Sequence, residues 1–124
     1  MTPDAGRRSP DALLPLKSVD FLILLTLARA ERHGYGIMQD LERQTDGAVR
    51  LEAGSLYRSM RRFLEEGLVA ESGRRPVREL DDERRRYYRL TAFGRRVLSA
   101  EALRLRWLVR EAEALRVIEP DPAS

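Results

Sequence analysis

No cysteine occurs in this chain. Disulfides, thiolate chemistry and cysteine-based zinc sites are therefore excluded. There is one histidine, His33. A metal site of several histidines is out of reach, and a Ser-His-Asp relay would rest on that single imidazole. Lysine is nearly absent as well: of the 23 basic residues 22 are arginine, and Lys17 is the exception. The planar arginine fork suits phosphates and guanine edges, although a GC-rich genome gives the same bias. Long apolar runs are missing too. The longest, FLILL at 21–25, is far short of the roughly 20 residues that span a bilayer. The first 17 residues hold acids and three prolines but no apolar signal core, so a soluble, cytoplasmic protein without a membrane partner is expected. No nucleophile–base pair, glycine-rich phosphate loop or metal-spaced cluster is visible. Neither an enzyme nor a cofactor nor a metal site is expected.

The charge that is present is unevenly placed. The net charge is +3 over 124 residues, yet residues 50–96 hold 13 basic and eight acidic residues, an excess of +5. The flanking segments 18–49 and 97–124 carry −2 and −1, and 1–17 carries +1. The basic excess therefore sits on one stretch of chain, which points to a polyanionic partner.

Proline at positions 3, 10 and 15 suggests a flexible arm over 1–17. Ser18 is suited to cap a helix over 19–30. That helix is apolar on most sides in its first half, which places it at the centre of the core. ERHGYG then breaks the pattern, with Gly34 suited to a C-terminal cap. A second helix follows over about 35–45, with Ile37, Met38 and Leu41 inward and Gln39, Asp40 and Arg43 outward. TDG at 45–47 is a turn, and Val49 to Leu51 a short extended piece. A third helix spans about 53–66. At about 100° per residue, Leu56, Met60 and Phe63 share one face. Ser55, Arg58, Arg61 and Arg62 share the opposite half, and Tyr57 lies on the boundary. LVAES at 68–72 and RYYRL at 86–90 read as two strands joined by a charged loop over 73–85. Tyr87 and Tyr88 alternate sides, so one faces the core. Thr91 caps a last helix over about 92–116. Leu98, Ala102, Leu105, Val109 and Ala112 repeat along it at coiled-coil spacing, and Leu108 and Leu115 widen that seam.

This element order, three helices, a hairpin and a long helix, is that of a winged helix-turn-helix. The fold class is mainly α (α+β), with a two-stranded wing and one long C-terminal helix. Its parts are an arm over 1–17, a DNA-binding unit over 18–91, a dimerisation helix over 92–118 and a frayed tail over 119–124. In such a fold the third helix enters the major groove, and the wing lies on the backbone or minor groove.

Three pieces of sequence, HGYG at 33–36, GSLYRSMRRFLEEGLV at 54–69 and RRYYRLTAFGRRVL at 85–98, together resemble PadR-type transcriptional regulators. The likeness runs from about Pro15 to Leu115. It implies a homodimeric DNA-binding regulator, usually a repressor, of the branch with a single C-terminal dimerisation helix. A serine-proline pair often precedes the Gly-Thr/Ser-Leu-Tyr stretch in that family. Here Glu52-Ala53 stands in its place, which weakens the side-chain cap of the third helix and would repel a nearby phosphate.

The partners expected are double-stranded DNA, a second copy of the chain and a small aromatic effector. Arg58 and Arg62 point most directly away from the core and are the candidates for base edges, with Arg61 better placed for phosphate. A bland reading makes all three a solvated helix face. Ser55 either donates to phosphate or caps its helix. The Tyr57 ring packs on the domain, with its hydroxyl either buried or reaching a phosphate. Tyr35 and Gln39 face out where the second helix should meet the backbone. In the wing Arg74 and Arg75, which precede the acidic block, are the better DNA candidates. His33 reads as structural. Leu98, Ala102, Leu105, Leu108, Val109 and Ala112 form the expected dimer seam. Trp107 lies beside it, either as interface packing or, by the resemblance, as a wall for a flat apolar effector. A rival reading keeps the fold but makes it a protein-binding module, whose contact with DNA would be weak and insensitive to salt.

Overall fold

The computed structural model describes residues 9–73 and 86–123. A 3-10 helix, Pro10–Leu13, leads into α1 (Ser18–Arg29), β1 (Arg32–His33), α2 (Gly34–Gln44) and α3 (Ala53–Glu65). β2 (Val69–Glu71), β3 (Tyr87–Leu90) and α4 (Ala92–Ala114) follow. The strands form an antiparallel sheet in the order β1-β3-β2. This is a winged helix with a third strand. β1 pairs Arg32 with Tyr88 and His33 with Tyr87. Two residues carry no readable alternation, which is why the sequence shows only a hairpin.

The core lies where the three helices meet. Ile23, Leu24 and Leu27 of α1 bury against Ile37 and Leu41 of α2. Leu56, Met60 and Phe63 of α3 close the layer. Each of these side chains contributes roughly 1.5–3 kcal/mol by leaving water. α3 then stops in a Schellman turn. Gly67 takes φ 78°, its N–H donates to Leu64 O, and the Leu68 N–H donates to Phe63 O. A glycine takes this left-handed conformation without the strain of a side chain. Tyr88 is the core-facing member of the tyrosine pair. Thr91 caps α4 as expected, its hydroxyl accepting from the Gly94 N–H.

Several expectations change. Lys17, not Ser18, is the cap residue of α1, and it makes no side-chain cap bond. Gly34 does not cap α1 but opens α2. α1 is not central on every side: Phe21 and Leu22 are half-buried and Leu25 is exposed. α4 ends at Ala114, two residues early, in a second Schellman turn with Arg116 at φ 60°. Leu98, expected in the dimer seam, is buried in the chain's own core. The stripe Gly94, Val97, Leu98 and Glu101 packs α4 onto the domain, and only its continuation runs free of it.

The N-terminal arm is also tied down from Ser9 onward. Leu13, Leu14 and Leu16 pack against the core. The Leu16 N–H donates to the Glu101 carboxylate (3.0 Å), which is itself gripped by Arg104 at 2.6 and 3.0 Å. The Arg104 guanidinium holds the buried Glu101 carboxyl below its ordinary value, against burial and with help from the Leu16 amide. A depressed carboxyl stabilises the fold above its unfolded value and loses that contribution as pH falls through the folded one. Glu101→Gln should therefore lower the melting temperature by several degrees at neutral pH, and the gap should close as pH falls through the depressed folded-state value. Thermal melts of both proteins across that range check this. A gap independent of pH would mean that the charge does not matter.

Candidate nucleic-acid interface

α2 and α3 are the helix pair of the motif, and their junction explains HGYG. The Gly36 N–H donates to His33 Nδ1 at 2.9 Å, so His33 caps α2. Its ring also stacks on Tyr35 and meets Tyr87 edge-on. Next to it, a side chain on Gly34 would collide with the Tyr57 ring and hydroxyl. Tyr57 is therefore sunk against the start of α2, with its hydroxyl buried. The expectation that this hydroxyl reaches a phosphate is corrected: its packing partner is Gly34.

This contact sets the outer faces of the two helices. Tyr35 and Gln39, one turn apart, are exposed on α2. On α3, Arg58 stands at the middle of the exposed half and donates to Ser55 Oγ at 3.1 Å. Arg61 is exposed on the same half. Ser55 is thus neither the helix cap nor idle, because it steadies Arg58. The cap of α3 is Glu52, with no side-chain bond. Its orphan N–H groups and positive dipole end remain available.

Arg62 departs from expectation. It is not turned directly outward but leans to α1, where Nη1 and Nη2 donate to Asp20 Oδ2 and Oδ1 at 3.1 and 3.3 Å. Glu66 Oε1 lies 3.9 Å away. The helical wheel of α3 alone could not show this, because Asp20 sits 42 residues earlier.

Asp40, expected on the outer face of α2, is instead buried and ties that helix to β1 through Arg32. Burial pushes its carboxyl up, but Arg32 and Arg43 outweigh that and hold it below the ordinary aspartate value. The Ser72 hydroxyl donates to Glu31 at 2.8 Å and joins the base of the wing to the α1–β1 corner. Among the described residues no cluster of acids and histidine could hold a metal, and no helix is long and apolar enough to cross a membrane.

The fold is shared with known proteins. The family model for the Transcriptional regulator PadR-like family matches residues 23–100. The chain belongs to the PadR-like family. It is a DNA-binding transcriptional regulator and not an enzyme. An uncharacterised protein of Lysinibacillus sphaericus is 32% identical over 81 residues, 65% of this chain and 72% of that protein. Among solved structures, a PadR family transcription regulator of Clostridium difficile superposes with a TM-score of 0.63 at 21% identity, over 80% of this chain and 98% of that one. Bacillus subtilis PadR, solved in complex with operator DNA, gives 0.58 at 20% identity, over 89% of this chain and 53% of that one.

In this PadR-like regulator, Arg74 and Arg75 lie outside the described residues. Arg89 is exposed in mid-β3, as the RYYRL alternation implies. Of the expected seam, Leu108 and Val109 are exposed, and Leu105 and Ala112 are half-buried. Ala102 is exposed at its margin. Trp107 does not lie beside this seam. At about 100° per residue it falls on the opposite side of α4, one turn from Leu103. The two are 60% and 52% exposed.

Proposed function

We propose that this regulator is a homodimeric repressor acting on chromosomal DNA in the cytoplasm. α3 enters the major groove, and Arg58 reads a base edge there. Arg61 and Ser55 contact phosphate at either side of it, and Tyr35 and Gln39 follow the backbone along α2. The observation that carries this reading is the two-faced character of α3. Its inner half is fully committed to the core, and its outer half offers Arg58 and Arg61 to solvent. α4 pairs with its copy and sets the distance between the two recognition helices. A flat apolar effector against Trp107 would favour release only if it bound the DNA-incompetent spacing more tightly. Blocking of polymerase by the bound dimer makes it a repressor.

Arg58→Ala is the direct test. It should cost about 1–3 kcal/mol at the operator and relax sequence choice at one position of each half-site. Binding selections from random DNA, run for wild type and variant, read both. If the two proteins select the same site with equal strength, Arg58 does not read bases.

A further inference from the structure

We infer that Asp20 is a specificity-determining residue that keeps Arg62 off the DNA backbone. The inference rests on the reading of α3 as the DNA-contacting helix. The Arg62 guanidinium is tied to a distant element, α1. Both of its terminal nitrogens are engaged by Asp20, whose side chain is only 8% exposed, while the Arg62 side chain is 44% exposed. Glu66 stands on the same flank of α3, one turn on. Lys17, Asp20, Arg62 and Glu66 together line one open groove between the arm, α1 and α3, with Leu13 and Leu68 at its apolar wall.

This geometry decides between two fates for the Arg62 charge. Swinging to a phosphate would strand a buried carboxylate. A solvent-screened phosphate contact returns less than that costs. Asp20 sits in the first turn of α1, at the positive end of the helix dipole. Arg62 therefore stays at home when DNA arrives. The consequence is selective. Phosphate contacts strengthen binding to every sequence alike, so withdrawing one arginine per protomer lowers non-specific affinity and leaves the base reading of Arg58 in charge. A pair that served only to seat α3 on α1 would behave otherwise: its loss would weaken binding to all DNA.

The test measures full-length protein on operator and on unrelated duplex DNA across a salt series. Asp20→Asn keeps the shape and frees Arg62. It should steepen the log–log salt slope by about 0.9 per protomer, raise affinity for unrelated DNA several-fold and narrow the operator preference. Arg62→Gln, which still bonds Asp20, should leave the slope unchanged, whereas Arg58→Ala and Arg61→Ala each flatten it. In the Arg62→Gln background, Asp20→Asn should add nothing. Steepening that persists there would mean that Asp20 acts through its own field and not through Arg62. Weaker binding by Asp20→Asn to both DNAs, an unchanged slope, or a flattened slope for Arg62→Gln would each overturn the inference. If wild type itself shows no salt-dependent binding, the DNA reading of α3 falls, and this inference falls with it. A steep wild-type slope combined with any of the other outcomes overturns the inference alone.

Discussion

DNA affinity should drop roughly a hundredfold between about 50 and 200 mM salt. The size follows from counterion release. A dimer that places Arg58 and Arg61 of each protomer against the duplex brings four cations to it, and each phosphate they neutralise displaces condensed cations, while Ser55, Tyr35 and Gln39 add neutral hydrogen bonds. Arg61→Ala should then flatten the log–log slope by about one unit and weaken all sequences alike. Arg58→Ala differs, because part of its loss is sequence-dependent. Fluorescence anisotropy of labelled duplexes over a salt series measures these slopes. A flat dependence for wild type would favour the protein-binding use of a winged helix over the repressor reading.

Local patterns in the sequence carried the helices well. Leu56, Met60 and Phe63 recur at spacings of four and three, so α3 shows its buried face without any knowledge of its neighbours. Thr91 followed by an apolar run marks the start of α4 in the same local way. What stayed hidden depends on partners far along the chain. A wheel of α3 puts Arg62 in the outward half, and only the approach of α1 brings Asp20 to it. Tyr57 sits on the wheel's boundary, and only the start of α2, with glycine at 34, draws it inward. Leu98 fits a heptad seam and equally fits the intramolecular stripe with Val97 and Glu101. Packing settles that choice, and periodicity cannot. The docked arm was obscured by its prolines, which signal irregular chain but say nothing of whether it packs. The pairing of Leu16 with Glu101 is a backbone contact with no side-chain signature on the Leu16 side.

Leu108→Glu with Val109→Glu should turn the dimer into monomer and remove most operator binding. The two side chains are 43% and 47% exposed in the single chain, so charging them costs the monomer fold little. They continue the stripe that packs α4 onto its own domain, beyond the point where the domain ends. Exposed Leu25 on α1 adds apolar surface of the same kind. Isolated apolar side chains on a surface need no explanation, but a stripe of them at helical spacing does. A second copy is the natural cover, because α4 can lie against its twin about a two-fold axis. Such pairing holds two α3 helices at a fixed distance, which must match the roughly 34 Å between successive major grooves. Without the link the second half-site is no longer held close, and the gain of about 10²–10⁴ from bivalency disappears. Sedimentation should give about twice 14.3 kDa for wild type and 14.3 kDa for the double variant. Trp107 lies on the opposite side of α4, so Trp107→Leu should keep the mass and the operator affinity. As the single tryptophan, its fluorescence should be quenched by a planar aromatic compound that releases the operator, and release should fail in Trp107→Leu. A wild type that sediments as monomer sinks the dimer. A ligand that releases DNA without touching Trp107 fluorescence removes the tryptophan from the effector site and leaves the seam standing.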